Sequence, residues 1–126
     1  PFIIYAPALI KEPEQIDKLA VQEDVFPTLM NFLKLPYTNN TLGINLFSKS
    51  RPYAFFCKDY LVGCLDKKHF LIVRKFGGES LHDYTKGNPE NILEQSHALA
   101  DSMKTYAYSM FQTALWLLEN KKLGKQ

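Results

Sequence analysis

Three short runs in the middle of the chain restrict its fold more than any other feature. Tyr53 to Lys58, Leu61 to Leu65 and His69 to Lys75 are apolar or alternating, and only Asp59-Tyr60 and Asp66-Lys67-Lys68 separate them. Gaps this short admit hairpins and exclude the crossover of a dozen or more residues that parallel strands require. Aromatic and β-branched residues in each run favour a pleated, half-buried surface. The middle of the chain is therefore predicted to be an antiparallel meander, which Gly77 and Gly78 are expected to stop.

Helical spacing flanks this meander. Asp24 precedes Val25, Phe26, Leu29, Met30, Phe32 and Leu33, whose spacing of three and four lays them along one side of a short helix. Asp24 is the expected N-cap, because its carboxylate suits a free first-turn amide and the positive end of the helix dipole. Pro27 would stand in the first turn, where no amide hydrogen is needed, and Pro36 would end the helix. On the other side, Asn88-Pro89-Glu90 has the pattern of a helix start, with Asn88 as N-cap. Ile92, Leu99, Met103, Tyr106, Met110, Ala114 and Leu117 then recur at helical spacing towards Lys121, Lys122 and Gly124, with Ala100, Ala107, Phe111 and Leu118 widening the apolar face. Phe2 to Ala6, closed by Pro7, is predicted to be a buried strand, and Tyr37 to Pro52 a loop. The resulting class is α+β: a small, mainly antiparallel sheet packed with a short helix and a long C-terminal helix. All 126 residues fit one domain.

Composition narrows function mainly by exclusion. Fifteen Lys and Arg against thirteen Asp and Glu leave +2, and 46% of residues are hydrophobic, which rules out an intrinsically disordered tail or an electrostatically driven nucleic-acid binder as the default reading. No apolar run approaches the roughly 18–20 residues that a membrane crossing needs. The chain opens on Pro1 without a leader pattern, and is read as a piece of a longer protein.

Candidate chemistry is sparse. His69, His82 and His97 have no metal-binding spacing, and His82-Asp83 are chain neighbours that rarely face one another. Ser80 in GGES reads as part of a turn. Cys57 and Cys64 fall on the first two meander strands, and a turn centred between Tyr60 and Leu61 would place them opposite. A cross-strand disulfide and two small buried thiols are both open readings. Tyr106 shares the stripe of Met103 and Met110 and is expected in the core, whereas Tyr108 and Trp116 lie off it. Asn39-Asn40-Thr41 has the form of a glycosylation acceptor.

PFIIYAP, EDVFPTLMNFLKLPY, LGINLF and RPYAFF together resemble the C-terminal portion of the sulfatase superfamily, whose fold is related to alkaline phosphatase. Asp24 to Leu29, an Asp-x-x-Pro-Thr-Leu segment, is the most specific match. ESLHDYTKGNPEN is similar to the segment leading into the last helix of those enzymes, although His82 replaces the usual Tyr and Gly87-Asn88 the usual acid before Pro89. QTALWLLENKK is most similar to the lipoteichoic acid synthase-like branch, the membrane-anchored phosphoglycerol transferases of bacteria. The resemblance implies a Thr nucleophile, or a Ser or Cys matured to formylglycine, beside a divalent metal, all upstream of Pro1. No catalytic, metal-binding or cofactor-binding residue is then expected here, and Asp24 is carried over as a helix cap.

The same resemblance implies that the partner is the missing N-terminal catalytic portion of the same protein, on the extracytoplasmic side. It implies neither nucleic acid nor membrane contact for this segment. The alternative is a stand-alone interaction module that uses the long amphipathic helix.

Overall fold

The computed structural model describes residues 2–87 and 90–120. Four strands form one antiparallel sheet in the order β1-β2-β3-β4: β1 Ala54–Lys58, β2 Leu61–Leu65, β3 His69–Arg74 and β4 Gly78–Asp83. Two helices, α1 Val25–Phe32 and α2 His97–Glu119, complete an α+β fold. The three meander strands form as expected. Their continuation does not: Gly78 takes φ 75° and opens a fourth strand instead of stopping the sheet. A glycine is needed there because a side chain would strain that backbone. The run Glu79 to Asp83 is polar enough to read as loop, yet alternation brings Leu81 to the core and pairs it with Leu71.

Phe2 to Ala6 is not a strand. Apolar composition signalled burial, but Ile3 and Tyr5 are 80% and 87% exposed, and among the described residues no strand pairs with this segment. Helix α1 ends before Pro36, because Lys34 adopts the left-handed region at φ 55° while the Leu35 amide donates to the Met30 carbonyl at 3.0 Å. That bond turns the chain back over the last helical turn.

α2 begins at His97, after Ser96, eight residues beyond Pro89. The intervening amides are already committed to the β4 edge: Ile92 N–H donates to the Leu81 carbonyl at 2.8 Å, and Asn91 Oδ1 accepts from Leu81 and Leu93 amides at 3.0 and 3.1 Å. The α-helix does not start there: Asn91 bridges to His82, and Leu93–Gln95 make only a 3-10 turn before Ser96 breaks the helical backbone. The expected cap Asn88, with Pro89, lies outside the described residues, as do Lys121, Lys122 and Gly124.

Residue alternation divides the sheet into two apolar faces. Phe55, Val62, Cys64, Leu71, Val73 and Leu81 point towards α2, where Ala100, Met103 and Ala107 are buried against them. The two alanines let the helix backbone approach the sheet closely. Tyr106 joins this core as expected and packs edge-on against Tyr53, with ring centroids 5.4 Å apart. At the margin, Lys104 Nζ donates to both carboxylate oxygens of Glu79, at 2.7 and 2.6 Å.

The opposite face carries Phe56, Leu61, Leu65, Phe70 and Ile72, which are half-buried or exposed, with Lys58 and Arg74 at one end and Ser80 and His82 along the β4 edge. Phe56 lies across Gly63 and packs on Phe70, with centroids 5.8 Å apart. Among the described residues no helix is long and apolar enough to cross a membrane.

Candidate functional site

The most concentrated polar chemistry surrounds Asp24, whose surface is 0% exposed. A single 3-10 turn, Gln22–Asp24, runs into α1 and makes Asp24 the last residue of that turn. Its side chain consequently reaches backwards and sideways. Oδ2 accepts from the Val21 amide at 2.9 Å, and Oδ1 accepts from the Ile44 amide at 2.8 Å and from Arg51 Nη2. The expected capping role is corrected here: Asp24 occupies the N-cap position of α1, but its carboxylate binds no first-turn amide of that helix.

One turn later, Thr28 Oγ1 accepts from the Leu46 amide at 3.1 Å and donates to the Ile44 carbonyl at 3.4 Å. Asp24 and Thr28 together fasten the loop before β1 onto α1. Gly43 permits the close approach, since a Cβ there would stand 2.0 Å from the Glu23 carbonyl oxygen. Removing both charges of such a pair from water costs several kcal/mol per ion, which only good geometry repays. Arg51 Nε, buried with no hydrogen-bond partner among the described residues, adds to that cost. The pair therefore fixes the loop's position more than it adds net stability.

Arg51 also borders a cleft of about 420 Å³ between the segment preceding α1 and the β2–β3 turn. Its charges are largely spent within the fold. Lys18 Nζ donates to the Leu46 carbonyl at 2.6 Å, and Lys67 Nζ donates to the Asp17 carbonyl and carboxylate at 2.8 and 3.0 Å. His69 Nδ1 lies 3.1 Å from Asp66 Oδ2. Burial pushes the Asp66 carboxyl up, but the His69 and Lys68 amides and the His69 ring outweigh it and leave the group below its ordinary value. The pair resembles an oriented imidazole, and Ser50 shares the cleft, but no hydrogen bond joins Ser50 to His69. A nucleophile activated by a base requires that contact.

Asp83, buried at the end of β4, is held down at about 2 chiefly by the Thr85 hydroxyl and amide, with Lys68 and Lys86 nearby. A carboxyl lowered on folding stabilises the native state above its unfolded value of about 3.9, and that contribution disappears as pH falls through the folded value. Thermal unfolding is thus expected to shift to lower temperature between pH 5 and pH 2, with Asp83→Asn reducing the shift. An unchanged melting temperature across that range would contradict these roles for Asp66 and Asp83.

The remaining sequence candidates are dispersed. His82, on β4, places Nδ1 3.2 Å from the Glu90 carbonyl, while Asp83 points to the opposite sheet face; His97 is the first residue of α2. Asn39 forms a local turn, its Oδ1 accepting from the Thr41 amide and hydroxyl at 3.1 and 2.8 Å. Tyr108 and Trp116 are exposed on α2. Among the described residues no group of three or more His, Cys, Asp or Glu is placed to hold a metal ion.

The cysteines are not opposite. The β1–β2 turn is centred one residue earlier than expected, between Asp59 and Tyr60, so Cys57 pairs with Val62 and Cys64 with Phe55. Both thiols are free. Burial pushes Cys57 up and, with the Asp66 charge, pushes Cys64 up to about 12. A thiol-specific disulfide reagent is expected to modify Cys57 slowly in the native protein and Cys64 only after unfolding. Equal native rates would contradict the burial of Cys64.

Sequence reasoning missed Arg51 and Thr28. Asp24 was visible as an acid before a helix, but nothing local indicates that its partner lies 27 residues away. No protein-family model matches the chain, and no curated protein sequence matches it.

Proposed function

We propose that this chain is the structural C-terminal part of a metal-dependent sulfatase-like enzyme, acting outside the cytoplasmic membrane on phosphoglycerol, phosphate or sulfate esters. The observation that carries the reading is the sheet with two apolar faces, only one of them covered by α2. An antiparallel sheet that ends in water normally alternates apolar and polar residues. Phe56, Phe70 and Ile72 instead supply a surface for a further layer of the same catalytic domain. In support, EDVFPTL, LGINLF and RPYAFF, three of the segments that carry the resemblance, meet at the Asp24 carboxylate.

A metal in the intact enzyme would lower the nucleophile's pKa and neutralise charge on the transferred group. The donor chemistry described here does not fit such an ion, so no step is assigned to this chain's side chains. Their part is to hold the sheet, loop and helix in register beside the catalytic portion.

The purified chain, given magnesium or manganese, is expected to show no turnover of nitrophenyl phosphate or sulfate esters. Turnover that a chelator abolishes would sink the structural role. A second reading, a stand-alone interaction module, is favoured by Tyr108, Phe111, Leu115 and Leu118, exposed at spacings of three and four on α2. Apolar-dye binding separates the two. Its loss in Phe56→Ser supports the open sheet face, whereas its loss only in Leu115→Ser supports the helix module.

A further inference from the structure

The β1–β2 and β3–β4 turns lie side by side at one end of the sheet, where the open face at Phe56 and Leu61 meets exposed rings and cations. Tyr60 is 65% exposed and Phe76 82%, with ring centroids 5.7 Å apart. The Lys75 amide donates to the Tyr60 carbonyl at 2.9 Å and ties the two turns together. Lys75 Nζ stands 5.4 Å from the Tyr60 centroid and 5.2 Å from that of Phe76, within range of attraction to both ring faces. Beside the rings is an open groove of about 570 Å³, bordered by Phe56, Leu61, Lys58 and Arg74. Asp59 is the one acid among the residues bordering the groove, Arg74 Nη1 donates to Ser80 Oγ at 3.3 Å, and among the described residues none of Lys58, Arg74 and Lys75 forms a salt bridge.

We propose that this end of the sheet docks on an anionic lipid bilayer surface. Exposed aromatic rings with uncompensated cations suit the headgroup region, where a ring partitions into the interface and lysine or arginine is drawn to negative phosphates. Two projecting turns present both ring systems to one plane at once. Extended nucleic acid is a poorer fit, because the cations form a compact group on a chain of net charge only +2. The proposal departs from the sequence expectation of no membrane contact and does not rest on the enzyme reading.

Vesicle co-sedimentation of the purified chain tests it. Strong binding is expected to equal parts of phosphatidylcholine and phosphatidylglycerol, weak binding to phosphatidylcholine alone, and release by added salt. Each cation near an anionic surface contributes about fivefold in affinity, so Lys58→Glu with Lys75→Glu is expected to weaken binding by tenfold or more. Tyr60→Ser with Phe76→Ser is expected to weaken it comparably, whereas Trp116→Ser on α2 is not. All these side chains are outside the core, and unchanged circular-dichroism melting checks that the variants fold. Salt dependence of the unaltered chain tests the proposal without any variant. Equal binding to neutral vesicles, loss only in Trp116→Ser, or tip substitutions that alter self-association and not vesicle binding would each overturn it.

Discussion

Asp24→Ala is expected to lower the free energy of unfolding by about 3–5 kcal/mol, the usual consequence of leaving a buried charge without its partner. The Arg51 side chain is only 5% exposed and its Nε is already unpaired, so loss of the carboxylate leaves the guanidinium charged in a site with little water. The Val21 and Ile44 amides lose their acceptor in the same substitution. Arg51→Met is expected to cost less, because those amides still stabilise the Asp24 carboxylate. The double variant should be less destabilised than the sum of the two singles, since both remove one interaction. Urea unfolding measures all three. A loss below about 1 kcal/mol for Asp24→Ala would mean that water reaches the pair and that the three segments are not tied together there.

Gly43→Ala is the second large effect. Its Cβ would stand 2.0 Å from the Glu23 carbonyl oxygen, 2.7 Å from that carbonyl carbon and 3.1 Å from Pro27 Cγ. Two of these three atoms are backbone, in the turn that positions Asp24, so relief requires the loop to move away from α1. Overpacking of this kind costs about 1–3 kcal/mol, and the upper end is expected because the displacement also stretches the bond from Ile44 to Asp24. Gly63→Ala makes an informative contrast. Its Cβ would meet the Phe56 ring at 2.2 Å, but that ring is 40% exposed and can swing outwards. Thermal unfolding should therefore rank Gly43→Ala well below Gly63→Ala; the reverse order would contradict the close contact at Glu23.

Both large effects depend on contacts that local sequence does not specify. The meander was legible because its turns are short and each strand carries its own alternation; β1 to β3 form within a residue or two of their expected limits. Helix α2 was legible in its buried stripe, where Ala100, Met103 and Ala107 recur at helical spacing. Its start was not, because the β4 edge holds Ile92 and Leu93 through Leu81 and Asn91. β4 was hidden by its polar residues and by a glycine pair that serves a hairpin as readily as a stop. Phe2 to Ala6 failed in the opposite direction: apolar residues show that burial is favourable, not which surface provides it. At Asp24 the sequence marks the residue but not its role, since one 3-10 turn before the helix redirects the carboxylate towards a loop 20 residues away.

The second apolar sheet face and the Asp24 junction have a common meaning in the proposed role. The junction gives the loop before β1 one position relative to α1, and the open face offers an adjoining layer a preformed surface.

The most direct test of that role is the coding sequence on the 5′ side of the Pro1 codon. An open reading frame encoding a Thr, Ser or Cys nucleophile, carboxylate metal ligands and a downstream Asp-His pair is the expected result, and the identity of the nucleophile would narrow the reaction. A start codon or signal-peptide sequence directly before Pro1 would contradict it, leaving a protein without a catalytic portion to support.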